Sequence, residues 1–480
     1  MKKHSFLPIY VVLLALVSCQ SRDALSVYRD EPATFLTKSN NPGCVPSKYA
    51  VSLSDAIHFS ELYHPGRDFT ITPYVVKEDT LLYALNYDGG GWLVISGDKR
   101  FDPNAAECPD GRIDFDAEDG YLFWFKSLAE DICSLREKNP DLENDNTALW
   151  QAISPIKKEG ITKMRNTPKW VIRNVVSNIT STWSYPVPHL MVTKWGQGFP
   201  WNNKLPIDNN PNGDGSKCVT GCVSVAVAQL LYYLHYKIGK PTALYHTVYC
   251  LYPGVISPAS VSALGFVRED KVTNSSRWNN MALTSSSSGS TVYVGDLMLD
   301  IGTRFNTSYA CAALGGSGAQ LSDCTSVLDT YYGIDCYNSS HSLINVKTSL
   351  DTEKPVLISR DAVNASNQIV SSHAWVIDGY AKEIREQTMT RYCEYTGDWT
   401  YGDEVYDTFA EVQQVYGFVD DGDSQEYPGP TITNYYYQMN WGFDGIGDTA
   451  YYNSNGTWTV NGVSYNSTDP NRFKIYYSFY

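Results

Sequence analysis

Apolar and polar positions divide this chain into stretches of different period. Phe6 to Val17 is an unbroken apolar run behind Lys2 and Lys3. It is too short to cross a membrane and fits the h-region of a secretory signal. Ser52 to Tyr63 predicts a short helix. Thr80 to Tyr87 and Trp92 to Asp98 read as two strands, joined by the turn Asp88-Gly89-Gly90-Gly91 into a hairpin. Glu118 to Lys138 predicts a helix that stops before Asn139-Pro140. The strongest helical signal is Cys222 to Lys237, with Val225, Ala228, Leu231 and Leu234 on one face and Gly239 as the stop. Mixed segments and short aromatic strands follow to the C-terminus. The pattern as a whole predicts an α+β fold.

Composition narrows this picture. The 480 residues are 43% hydrophobic and 19% charged, enough to build globular cores in two or more domains. Asp and Glu number 52 against 37 Lys and Arg, a net charge of −15. Such a balance argues against nucleic-acid partners, whose phosphates repel an acidic surface. The signal-like run ends in Leu16-Val17-Ser18-Cys19, which resembles a bacterial lipobox, in which Cys19 would be acylated. The alternative is a plain signal peptide with a chance cysteine. Gln20 after Cys19 would direct such a lipoprotein to the outer membrane, or leave it at the cell surface with a soluble body. The expected location is therefore the bacterial cell envelope, with the membrane as a partner only through lipid at Cys19.

The boundaries follow: a signal at 1–18, a polar tether at 19–44, a first module at 45–152, a linker at 153–179, and a second module at 180–480. The linker concentrates Lys157, Lys158, Lys163, Arg165, Lys169 and Arg173 in an acidic chain. It reads as an exposed, cleavable boundary or, alternatively, as a basic surface helix. Removing Cys19 leaves ten of the 11 cysteines, with no zinc-type CxxC pairs and no deducible connectivity. Asp208 to Gly213 matches the first half of a calcium loop, but Pro211 disrupts it and Val219 stands where a Glu is needed. No phosphate-binding GxxxxGK[ST] and no GxSxG elbow occur. Neither a metal nor another cofactor is expected.

The candidate chemistry centres on Gly221-Cys222. A cysteine at a helix start lies in the positive end of the helix dipole, which favours the nucleophilic thiolate. Gly221 allows a tight turn and close approach of a substrate backbone. A cysteine nucleophile needs a histidine. His58 and His235 fall inside predicted helices, whereas His373 opens the apolar strand His373-Ala374-Trp375-Val376-Ile377. Gln197, about 25 residues before Cys222, could donate to an oxyanion together with the Cys222 backbone N–H. Asn440 could orient an imidazolium and Trp441 could shield it from water. Singly, each has a bland structural reading. The order Gln, Cys, His, Asn is far more specific.

The segments WGQGFPWN (195–202), TGCVSVAVAQLLYY (220–233), WNNMA (278–282), HAWVIDGY (373–380) and MNWGFDG (439–445) resemble the streptopain family of bacterial cysteine peptidases. The resemblance implies a papain-like catalytic domain made as a zymogen. LYALNYDGGGWLVISGDKR (82–100) resembles that family's inhibitory propeptide, which would make the first module an intramolecular inhibitor. It implies Cys222 as nucleophile, His373 as base and acid, Gln197 in the oxyanion hole, and Asn440 and Trp441 behind His373. Gly316, Ser317 and Gly318 fall where the family binds substrate. Protein or peptide substrates are implied as partners. Two departures stand out. Phe443 and Asp444 replace the second Trp-Gly of the family's NWGWGG. The stretch 382–433 is long, and reads as an added hairpin near the cleft or as surface decoration. The competing function is a catalytically inactive surface lipoprotein that binds peptides or host proteins; the presence of both Cys222 and His373 argues against it.

Overall fold

In a computed structural model the described residues are 44–153 and 169–479, apart from 77, 118–119, 209–211, 242–243, 250–265, 273–274, 364–368, 397–403, 421, 455–456, 461–462, 467–472 and 478. The lipidation candidate Cys19, the tether up to residue 43 and residues 154–168 of the linker lie outside them. The fold mixes helices with a large antiparallel-rich sheet, the α+β class expected from the pattern.

The N-terminal module begins with α1 (Leu53–Tyr63), which Ser52 caps through a capping box with Asp55. Strands β1 (Phe69–Val76), β2 (Asp79–Tyr87), β3 (Trp92–Ser96) and β4 (Asn104–Cys108) form a meander, and β2–β3 is the predicted hairpin. Helices α2 (Leu122–Lys138) and α3 (Asp145–Ile153) follow. α2 buries Leu122, Phe125, Ala129, Ile132 and Leu135 against the sheet.

The C-terminal half starts with β5 (Lys169–Val187) and α4 (Cys222–Ile238), then β6 (Leu244–Tyr249), β7 (Phe266–Val272), α5 (Ser275–Asn279), α6 (Thr291–Arg304) and α7 (Cys324–Val327). β8 (Tyr337–Ser340), α8 (Leu343–Asp351), β9 (Val356–Val363) and the long β10 (Ile369–Thr396) come next. After β11 (Val405–Tyr406), α9 (Phe409–Tyr416) and β12 (Ser424–Pro428), β13 (Ile432–Asn440) and β14 (Tyr451–Asn453) return to the sheet, and β15 (Thr457–Val460), β16 (Val463–Asn466) and β17 (Phe473–Tyr477) end the chain. α4 packs on α6 through Val225, Leu231, Val294 and Leu297 in its own core.

One sheet runs through both halves, in the order β1-β2-β3-β4-β14-β13-β10-β9-β17-β8. The junction is β4 against β14, with Ala106 opposite Tyr452 and Glu107 opposite Tyr451. Two expectations change here. The described part of the linker, 169–179, is neither exposed loop nor helix. It belongs to β5, whose Val171, Ile172, Val176 and Ile179 are buried and whose Arg173 pairs with Glu394. Buried apolar side chains win over the local positive charge, because β10 offers a partner edge. The stretch 382–433 extends β10 into an arm paired with β5, β12 and β13. Met389 of that arm and Val176 and Ile179 of β5 share a core with Phe59, Tyr63, Leu85 and Trp150. The arm thus packs on the N-terminal module, where a hairpin near the cleft or a surface decoration was expected.

Candidate active site

Cys222 is the first residue of α4, and Gly221 before it sits at φ 82, a conformation that disfavours any side chain. A Cβ on Gly221 would also come within 2.9 Å of the Ser317 carbonyl oxygen. The Gly316-Ser317-Gly318 loop therefore lies directly beside the Cys222 turn. Ser317 Oγ fixes this loop by bonding the Ala310 backbone, donating to its oxygen at 3.1 Å and accepting from its N–H at 3.0 Å. Gln197 is held on the same turn, its carbonyl accepting from the Thr220 N–H at 3.0 Å.

His373 stands at the start of the apolar part of β10, paired in register with Arg360 of β9. The Cys222 thiol faces the backbone N–H of Ala374, the next residue after His373. Helix start and strand mouth are thus adjacent. The expected low thiol pKa is not seen. Burial pushes the Cys222 thiol up, and the N–H groups of Ala374 and Val223 only partly offset it. Burial likewise lowers His373 to about 4. Both groups are neutral near pH 7 in this arrangement.

The cause is a ring of aromatic side chains. His373 lies 5.7 Å from Trp375, 6.2 Å from Trp441 and 5.5 Å from Phe443, centroid to centroid. Phe123 of α2 closes the ring from the N-terminal module at 5.8 Å. Phe123, Ser127 and Asp131 share one face of α2 at four-residue spacing. Below Phe123, Arg360 takes the Ser127 carbonyl at 3.3 Å and the Asp131 carboxylate at 2.8 Å, all buried. Phe443, where the family pattern has Trp, also meets the module: a Cβ on Gly120 would fall 1.9 Å from its ring.

The support behind His373 differs from the expectation. His373 Nε2 lies 3.2 Å from the Trp441 carbonyl oxygen, so Nε2 carries the proton and donates. Asn440 bonds elsewhere. Its Oδ1 accepts from Gln229 Nε2 at 2.7 Å and its Nδ2 donates to the Thr193 oxygen at 2.7 Å. Gln229 thereby ties α4 to β13, a role the sequence reading left unassigned. Its one signal was a polar residue on the apolar face of α4. Asp448 was missed too. It accepts from the Trp441 N–H at 3.0 Å, and burial raises it to about 7. Among the described residues no cluster of His, Cys, Asp and Glu could hold a metal ion.

A thiol at a helix N-terminus, a histidine on the neighbouring strand and a Gln beside the thiol suit acyl transfer. The sequence model of the Peptidase C10 family matches residues 195–395, a span that holds all three. Over that span the chain is similar to the streptopain family of cysteine peptidases. Streptopain of Streptococcus pyogenes is 24% identical over 317 residues, covering 62% of this chain and 68% of the relative. A serotype M28 streptopain is 24% identical over 319 residues. Among solved structures, a prointerpain A fragment of Prevotella intermedia aligns at TM-score 0.46 and 18% identity, covering 85% of this chain and 98% of the fragment. Active interpain A of the same organism aligns at TM-score 0.36 and 21% identity, covering 60% and 93%. The enzyme is thus a cysteine endopeptidase with an N-terminal module resting on its histidine.

Proposed function

We propose that this chain is a zymogen whose residues 45–152 silence a Cys222–His373 dyad until the chain is cut within 153–168. The observation that carries this reading is Phe123 against His373, with both dyad members neutral beneath it. Removing the module would hydrate His373 and let it take the thiol proton. The Cys222 thiolate then attacks a peptide carbonyl, forming a C–S bond and an oxyanion. The Gln197 side chain and the Cys222 N–H stabilise that oxyanion. Protonated His373 gives its proton to the amine as the C–N bond breaks. Water, activated by His373, cleaves the thioester and restores the thiol. Trp441 shields His373, while Asn440 braces the wall behind it through Gln229. Gly316, Ser317 and Gly318 line the substrate side. Substrates are proteins or peptides, and an inhibitor in the same chain acts at high effective concentration. Acylation at Cys19 places the enzyme on the cell envelope, with the catalytic half free to leave after processing.

The test expresses residues 20–480 with and without Cys222→Ala. The unaltered chain is expected to convert to a fragment of roughly 33 kDa and then hydrolyse peptides. The variant stays intact and loses several orders of magnitude in rate. Substantial hydrolysis by purified Cys222→Ala overturns the nucleophile assignment. Full activity of an unprocessed chain on a protein substrate overturns the zymogen reading.

A further inference from the structure

The second contact between the module and the peptidase half is built differently from the aromatic one. Where β4 meets β14 and the β10 arm, three carboxylates converge: Asp102 and Glu107 from the module, and Glu383 from β10. One guanidinium serves two of them. Arg385 binds Asp102 through two contacts at 3.2 Å and Glu383 at 2.9 and 3.2 Å. Glu107 has no such partner. Its Oε2 takes Asn104 Nδ2 at 2.8 Å, and His64, just after α1, stands 4.0 Å away. Burial holds His64 near 4, so it supplies no positive charge at neutral pH.

Tyr63 makes the arrangement diagnostic. Its hydroxyl lies 3.0 Å from Glu107 Oε2 and 2.9 Å from Glu383 Oε1. A hydroxyl has one proton to donate, so two ionised carboxylates cannot both be satisfied by it. A proton on Glu107 completes the chain: Glu107 donates to Tyr63, and Tyr63 donates to Glu383. Glu383 is the natural anion of the pair, since it also accepts from Ser181 at 2.6 Å and Tyr436 at 2.9 Å.

We propose that the β10 arm is a dedicated docking surface for residues 44–153, latched by a protonated Glu107 hydrogen-bonded through Tyr63 to Glu383, so that the module's hold weakens as pH rises. This rests on the reading of residues 45–152 as the inhibitory module. Burial, together with the charge of Glu383, raises docked Glu107 to about 7 from an ordinary 4.5. Docking therefore takes up a proton. Its contribution is complete below about 4.5 and is lost as pH rises to about 7. Asp102 is raised in the same sense by burial, against the pull of Arg385. For Glu383 burial works upward, but Arg385 outweighs it and keeps that group low and ionised. Tyr87 of β2 and Tyr451 of β14 also face Glu107, and both are pushed upward and stay neutral.

Amide hydrogen exchange on the full chain tests this, in a Cys222→Ala background that prevents processing. Exchange at Ala106 and Tyr452, in the β4–β14 junction, is compared with and without Glu107→Gln at each pH, so that intrinsic exchange cancels. The ratio of rates, the chain retaining Glu107 over the Glu107→Gln variant, is expected to rise tenfold or more between pH 5 and 7.5 and to level above that. Tyr63→Phe removes the acceptor that holds the Glu107 proton, and should move the midpoint to lower pH. It serves as the second variant if Glu107→Gln fails to fold. A ratio that stays flat, or a midpoint that Tyr63→Phe leaves in place, overturns the latch while leaving the zymogen reading intact. Full activity of the unprocessed chain would sink the zymogen reading and leave the latch standing.

Discussion

The N-terminal module touches the peptidase half at two places that obey opposite rules. At α2 the contact is mainly aromatic, with Phe123 beside His373 and Trp375 and the ion pair Arg360–Asp131 beneath. At the β10 arm it is a cluster of buried charge. The first acts on chemistry by excluding water from a base. The second acts on attachment by how many protons it holds. Their pH responses have opposite sign. In the docked form burial lowers His373 to about 4, and the share of that burial supplied by Phe123 makes acid favour release as pH falls below 6.5. Docking raises Glu107 to about 7, so alkali favours release as pH climbs from 4.5. Between about pH 5 and 6.5 the two slopes offset each other, and a lesion at one contact should expose the other.

The largest expected effect comes from breaking the charged contact outright. Arg385→Met leaves Asp102 and Glu383 without their cation in a sealed site. Loss of one partner from a buried ion pair costs about 3–5 kcal/mol. Urea unfolding of the full chain should show that loss, greatest at high pH where the carboxylates are ionised. A variant as stable as the parent at pH 8 would mean that the cluster is open to water.

Gln197→Ala sharpens the comparison from outside, since Gln197 belongs to neither contact. Turnover of the processed enzyme should fall roughly ten- to a thousandfold through one lost oxyanion donor. Alkylation of Cys222 and the exchange pattern at β4–β14 should not change. Parallel loss of alkylation would make Gln197 a structural residue of the Thr220 turn.

Phe123→Ala opens the aromatic contact. Truncating this half-buried ring should cost about 2 kcal/mol, less than the 3–5 kcal/mol for a fully buried Phe. Since 1.4 kcal/mol is tenfold in an equilibrium, Cys222 in the full chain should alkylate at least about tenfold faster in a short pulse. The acid-favoured release should also shrink, because His373 is no longer dehydrated by the module. Unchanged labelling would show that the rest of α2 suffices to cover the thiol.

These two contacts were unequally legible in the sequence. Helices at 53–63, 122–138 and 222–238 and the β2–β3 hairpin followed from apolar period, caps and glycines. Those signals are local. The adjacency of Cys222 and the His373 strand was readable only as an ordered set of motifs. Phe123 gave no signal, because its neighbours Leu122 and Phe125 carry the helix pattern and its partner lies 250 residues away. The arm was harder still. Glu383 and Arg385 look like an exposed i, i+2 pair on a polar strand. They are buried only because the β3–β4 connection, β13 and α1 bring Asp102, Asn434 and Tyr63 over them. The Lys/Arg-rich stretch misled for the same reason: Arg173 turns inward once β10 is alongside.

The smallest effect tests how finely the latch is tuned. Ser181 of β5 donates to Glu383 Oε1 at 2.6 Å. That bond helps to keep Glu383 ionised, along with Arg385, Asn434 and Tyr436. Ser181→Ala removes one of several donors, so the loss should be near 1–2 kcal/mol, as for a hydrogen bond to a charged group. Its consequence is chemical as well as energetic. A Glu383 less able to hold its charge competes for the proton that Glu107 carries through Tyr63. The repulsion that favours protonated Glu107 then falls, and the midpoint of β4–β14 opening should move to lower pH. This is the same direction as the shift expected for Tyr63→Phe. Midpoints that both move to lower pH would mark a shared proton, whereas midpoints left in place would reduce both variants to simple loosening of the junction.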